Sequence, residues 1–241
     1  MDPIIIARLL IAHILGDFLF QSDGHVDQRN RLNFRSSWLY IHATIHFFLA
    51  WLMCFQIKFW WVALIIASGH LLLDGLKAYF GKVNLKAFLL DQFLHVLIII
   101  GCWCLANPDQ NLEAISSIFS YNPFWWVISG YLIVIFLYPH LIAGAIESWR
   151  LDIPTDREPL YKAGRWIGIV ERFLVFTFAL IAQYAAIGFL LAAKSVFRFG
   201  DLREGRDKGH TEYVLIGTLL SFGLAIITGL VFRAILGLPV I

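Results

Sequence analysis

FWWVALIIASGHLLLDGL, residues 59–76, decides the fold. No charge interrupts it from Phe59 to Gly69, and eighteen helical residues at 1.5 Å each nearly cross a hydrocarbon core about 30 Å thick. Yet it closes on His70 and Asp74, four residues apart, which leave a helix on one face. Ionisable groups at membrane depth are costly and usually turn toward a bundle interior where function lies. The stretch therefore predicts a membrane helix with a chemically equipped inner face.

Three further pairs repeat that spacing: His13 and Asp17 in HILGD, His42 and His46 in HATIH, Asp91 and His95 in DQFLH. Around them the apolar runs predict an all-α, polytopic membrane bundle of about seven transmembrane helices. These run from about Pro3 to Gln21, Trp38 to Gln56, Phe59 to Leu76, Lys86 to Ala106, Pro123 to Glu147, Gly164 to Ala193 and Thr211 to Leu236. Residues 1–106 form a four-helix core carrying the motifs. Residues 107–241 add three helices and polar linkers to the same membrane domain. Residues 22–37, 107–122, 148–162 and 194–210 are expected as loops, the second of them with room for a short interfacial helix. Pro139 is expected to kink its helix, which neighbours must then re-satisfy.

Composition agrees. The chain of 241 residues is 59% hydrophobic, with a mean hydropathy of +0.73, well beyond a soluble domain. A net charge of +2 gives no support to nucleic-acid binding. Cys54, Cys102 and Cys104 all lie in apolar segments and imply no disulfide framework. The first apolar run does not read as a cleaved signal peptide, since it lacks a basic start and carries His13 and Asp17.

Alternating helix directions bring the four pairs to one half of the membrane. His13, His46, His70 and His95 fall roughly 9–14 Å from the helix ends on that side. Asp17, His42, Asp74 and Asp91 fall roughly 3–8 Å in. The order inverts from His-then-Asp to Asp-then-His as the chain reverses, so a layer of four histidines is predicted below three aspartates and a histidine. Imidazole and carboxylate are metal ligands, and all eight residues are candidate ligands of a divalent metal, with zinc the best single match. Eight groups exceed one tetrahedral shell. Either two ions about 3.5–4 Å apart share them, or one ion is held and the remaining groups orient its ligands.

Asp17 and Glu171 are the candidates for moving a proton in catalysis. Arg172 reads either as an anion binder or as a structural partner. Lys194, Ser195, Arg198 and Glu212 form a second polar group, expected at the opposite membrane face beside lipid headgroups. Basic residues including Arg29, Arg31, Arg35 and Lys77 are counted to loops of the motif side, which favours that side as cytoplasmic.

The segments HILGDFLFQ, HATIH, HLLLDGLK and DQFLH, with ERF, AAKSVFRF and EYVLIGTLLS, resemble a bacterial multi-pass family of unknown function (domain-of-unknown-function family 3307). That resemblance implies a multi-pass protein of the bacterial inner membrane and carries no activity. The His–Asp signatures at His13, Asp17, His70, Asp74, Asp91 and His95 are similar in style to bacterial membrane-bound metal-dependent hydrolases. A buried zinc among seven helices is an architectural analogy to the ceramidase and adiponectin-receptor group. The function expected is a membrane-embedded metal-dependent hydrolase of a lipid or lipid-like substrate, with membrane lipids as its surroundings. The alternative is a metal-ion or proton-coupled transporter, which needs polar groups through both membrane halves. Paired histidines also raise haem ligation, but three carboxylates one turn away suit metal ions better.

Overall fold

The structure, a computed structural model, describes residues 4–81, 84–107, 123–147, 158–203 and 208–239, with side chains given outside 158–163, 197–203 and 208–211. Among the described residues every regular element is helical. The chain divides into two compact units, 1–132 and 133–241.

The first unit contains α1 (Ile5–Ile14), α2 (Asp23–Leu32), α3 (Ser37–Cys54), α4 (Trp60–Phe80), α5 (Leu85–Ala106) and α6 (Pro123–Leu132). Helix α1 packs against α3, α5 and α6, and α4 sits between α3 and α5. One end of this packing is apolar: Ile5, Leu9, Ala50, Cys54, Phe59, Val62, Ala63, Ile66, Ile99 and Cys102 form a buried core. The outward faces are apolar too, with Phe48, Leu52, Leu72 and Leu105 all exposed. Exposed apolar surface on this scale marks contact with lipid or a partner. It is compatible with a multi-pass membrane protein.

The second unit continues from α6 through a π-helical turn (Ile133–Leu137) into α7 (Tyr138–Ala145), then α8 (Glu158–Leu180), α9 (Tyr184–Arg203) and α10 (Lys208–Ile235). Helix α8 packs on α10 and α9 over Val175, Ala179, Ile187, Phe222 and Ala225. In place of the kink expected at Pro139, the structure shows the π-helical turn just before it. Proline has no N–H to return to the carbonyl that a π-turn would pair five residues back. That carbonyl, on Val134, instead accepts from Arg172 Nε at 2.7 Å. The structural alternative for Arg172 is therefore the one observed.

Among the described residues, five helical segments are long and apolar enough to cross a membrane: Ser37–Cys54, Ile57–Phe80, Leu85–Ala106, Pro123–Ala145 and Glu212–Ile235. A sixth candidate is the pair Ile5–Leu19 and Asp23–Arg35, bent by 85° at a short break. Seven spans are not found among the described residues, and the helices differ from expectation at two places.

The first is the helix expected from Gly164 to Ala193, which is a hairpin of α8 and α9. The break is a Schellman motif: Gln183 N–H reaches Phe178 O at 2.7 Å, Ala182 N–H reaches Ala179 O at 3.2 Å, and Ala182 has φ +58°. Glycine holds the corresponding left-handed position after α4 (Gly81) and α10 (Gly237); alanine gives no such sign. Helix α9 then runs on through residues 194–203, which were expected as loop.

The second is the polar stretch after α1, expected as loop and found to contain α2. This segment has no apolar stripe, so its place comes from long-range contacts. The His25 ring stacks on Trp38 at 3.5 Å, and Arg29 is buried. Of the loops expected at 107–122, 148–162 and 194–210, residues 108–122, 148–157 and 204–207 lie outside the described residues, whereas 158–162 begin α8 and 208–210 begin α10.

Candidate metal centre

Each motif sits where its helix can aim it inward. His70 and Asp74 lie in the C-terminal half of α4, and Asp91 and His95 in the N-terminal half of α5. His42 lies in the N-terminal half of α3 and His46 at its middle, and His13 lies in the last turn of α1. Asp17 is carried by a π-helical turn, Leu15–Leu19, closed by Phe20 N–H on Leu15 O at 3.0 Å. Such wide turns are rare and gather at functional sites.

The consequence for Asp17 is direct. Its nearest imidazoles belong to other helices: Oδ1 is 3.0 Å from His46 Nε2, 3.3 Å from His42 Nε2 and 3.8 Å from His70 Nδ1. The histidine of its own helix, His13, is farther, at 3.9 Å. Gly16 allows the approach, because a Cβ there would collide with the His46 ring.

His70 is the centre of the imidazole layer. Its ring stacks on His46 at 3.5 Å and on His95 at 4.0 Å, and lies 5.2 Å from His13 and 5.6 Å from His42. All five histidines are buried. The carboxylates border this layer. Asp74 Oδ2 is 3.3 Å from His42 Nε2 and 3.8 Å from His70 Nδ1. Asp91 Oδ1 is 3.8 Å from His95 Nδ1. All eight residues named from the sequence thus come together. Ligand atoms within 4.8 Å of one another define three groups: His13, Asp17, His46 and His70; His42, His70 and Asp74; Asp74, Asp91 and His95.

The donor chemistry suits a cation. His46 Nε2, His70 Nδ1, His95 Nε2, Asp17 Oδ1 and Asp74 Oδ2 are buried and make no well-directed hydrogen bond. Buried polar atoms without partners are costly, and each asks for an explanation. Two tautomers follow from neighbours that can only accept. His95 Nδ1 donates to the Asp91 carbonyl at 2.9 Å, which leaves Nε2 as a lone pair. Gln92 works on two residues at once. Its Nε2 donates to Asp17 Oδ2 at 2.9 Å, so its Oε1 accepts from His13 Nε2 at 3.3 Å. His13 Nδ1, buried and without a hydrogen bond, then carries the lone pair.

Three participants were not recognised from the sequence in these roles. Arg29 and Lys77 were counted to loops of one membrane face. Instead Arg29 Nη1 lies 3.1 Å from Asp74 Oδ1, and Lys77 Nζ lies 2.7 Å from Asp91 Oδ2. Lys77 had a signal, since it follows Asp74 by three residues on one helix face. Gln92 had a weaker one, an amide beside Asp91 in an otherwise apolar run. Glu171, a candidate proton carrier, belongs to the second unit, where it pairs with Lys194. The hairpin explains why: α8 and α9 run back alongside one another, so Lys194 returns to the level of Glu171 instead of reaching an opposite face.

Residues 5–124 match the family model described as Protein of unknown function (DUF3307). All eight motif residues, with Arg29, Lys77 and Gln92, fall inside the DUF3307 match, whereas α7 to α10 lie beyond it. No curated protein and no solved structure matches the chain.

Proposed function

We propose that the His/Asp cage binds a divalent metal of zinc type, and that the protein is a membrane-embedded metal-dependent hydrolase of a lipid or lipid-like ester, amide or phosphoester. The observation that carries this is the convergence of five imidazoles and three carboxylates on one buried volume, with several lone-pair atoms left without hydrogen bonds. Interhelical polar contacts normally close pairwise; this set does not.

A divalent ion at such a site supplies Lewis acidity to a scissile carbonyl or phosphoryl group. The residues of the chain supply the rest. Gln92 holds His13 and Asp17 in their orientations. Asp17, the least buried of the three aspartates, is the carboxylate placed to accept a proton from an attacking water. Beneath the cage, the apolar core from Ile5 to Cys102, with Arg8 the one charged side chain buried beside it among the described residues, supports hydrolysis over transport, because permeation needs polar groups along its route. The resemblance to a bacterial inner-membrane family supports that location.

Elemental analysis of protein purified without added chelator tests the metal, and lipid turnover in detergent against ion flux in liposomes tests the reaction. Stoichiometric zinc with turnover and no flux is expected. Flux without turnover would make the protein a transporter, and absence of any transition metal would remove the proposal.

A further inference from the structure

Two of the three carboxylates of the cage already face a cation. Arg29 Nη1 is 3.1 Å from Asp74 and Lys77 Nζ 2.7 Å from Asp91. Asp17 meets only imidazole nitrogens and the Gln92 amide among its described contacts. Counted with all five imidazoles neutral, three carboxylates and two cations give a net formal charge of −1. One divalent ion would bring this to +1, and two would bring it to +3. A buried site resists uncompensated charge strongly.

The ligand groups divide in the same way. Asp17 joins His13, His46 and His70, three imidazoles that suit a zinc with one open position and a carboxylate beside it. In the group of Asp74, Asp91 and His95, both carboxylates are drawn onto nitrogen cations. The arrangement is built in. Helix α2 turns by 85° from α1 and carries Arg29 to Asp74 as a buried side chain. Just beyond it, Phe34 lies against Gly75, where a Cβ would overlap its ring.

Resting on the metal reading above, we infer that the cage takes a single divalent ion, held by His13, His46 and His70 with Asp17 beside it as the counter-charge, while Arg29 and Lys77 fill the charge position of a second ion at Asp74 and Asp91. The chain thus carries the frame of a two-ion centre with one half closed by its own cations.

The test uses the full-length protein in detergent, loaded with zinc chloride and freed of excess by gel filtration, with zinc per chain measured by mass spectrometry. One zinc per chain is expected in the wild type. His95→Ala should retain it and His46→Ala should lose it; the reverse pattern overturns the assignment. Two zinc ions per wild-type chain overturn the single-ion inference and leave the metal reading standing, whereas none removes the metal reading itself. Arg29→Met with Lys77→Met should raise the count toward two, and a count that stays at one overturns the role given to the cations. Should that double variant not fold, Lys77→Met alone is titrated with zinc. A second, weaker binding step is then expected, and its absence counts equally against the inference.

Discussion

Both units of this protein bury polar side chains among apolar helices, but they treat them differently. In the second unit several polar groups close in small sets, although Tyr184 Oη and Ser221 Oγ are buried without a hydrogen bond. Arg172 serves the Val134 carbonyl, Arg233 the Leu180 carbonyl, Tyr138 bonds Thr228, and Glu171 pairs with Lys194. In the first unit, eight ionisable residues crowd one volume, and several of their buried nitrogen and oxygen atoms make no well-directed hydrogen bond. The first pattern is how helices are held together where water is scarce. The second is costly without a further partner, and a cation is the partner that oxygen and nitrogen lone pairs share. The contrast separates polarity that serves the fold from polarity kept for a ligand.

The comparison breaks most readily at its centre. His70→Ala removes the ring that touches all four other histidines, and it should reduce bound zinc from one per chain to background in elemental analysis. A variant with undiminished zinc would mean that the cage is not the binding site. Next in size is Arg29→Met. Removing one partner of a buried ion pair costs about 3–5 kcal/mol, so a large fall in the detergent unfolding midpoint is expected in metal-free protein. Added zinc should recover part of it, because an ion binding only the folded state stabilises it by mass action. The same loss with and without zinc would detach Asp74 from the metal.

A sharper comparison sets Gln92→Leu against Arg172→Leu. Groups that orient metal ligands typically carry about 10–100-fold in affinity, and Gln92→Leu should weaken zinc by that factor in competition with a chelator. Gln92→Glu, which keeps an acceptor for His13 and loses the donor to Asp17, should weaken it also. Arg172→Leu leaves the Val134 carbonyl unpaired and should cost about 1–3 kcal/mol of stability with zinc affinity unchanged. Affinity that falls with Arg172→Leu would erase the distinction between the units. The smallest effect belongs to Ala182→Gly. An L-residue in the left-handed region costs about 1–2 kcal/mol, and glycine in the αL cap should raise the unfolding midpoint by up to that amount, less its own entropy cost.

How much could be read from the chain alone follows the same division. The eight cage residues were legible because two simple periodicities overlap: a four-residue spacing puts each pair on one face, and an inverted order follows the reversal of helix direction. The π-turn at Leu15–Leu19 was not, since it is a backbone response to packing that no residue type announces; Gly16 marks it only once the His46 ring is in place. Arg29 was illegible for another reason. Its helix has polar residues on every side, so only the distant Asp74 fixes where it goes. The hairpin at Ala182 escaped because a left-handed alanine lies within an unbroken apolar run. Local pattern carried the chemistry, and long-range contact decided the rest.

Helix α4 is the one element that enters all three ligand groups, through His70 in two of them and Asp74 in two. A slip of this helix by one residue, about 1.5 Å along its axis, would spoil every group together. Occupancy should therefore act as a clasp on the register of α4 against α1, α3 and α5. Loading the ion would tighten the packing of the entire four-helix core in a single step, and stripping it would loosen that core as one body, with no stage at which a lone loop lets go first.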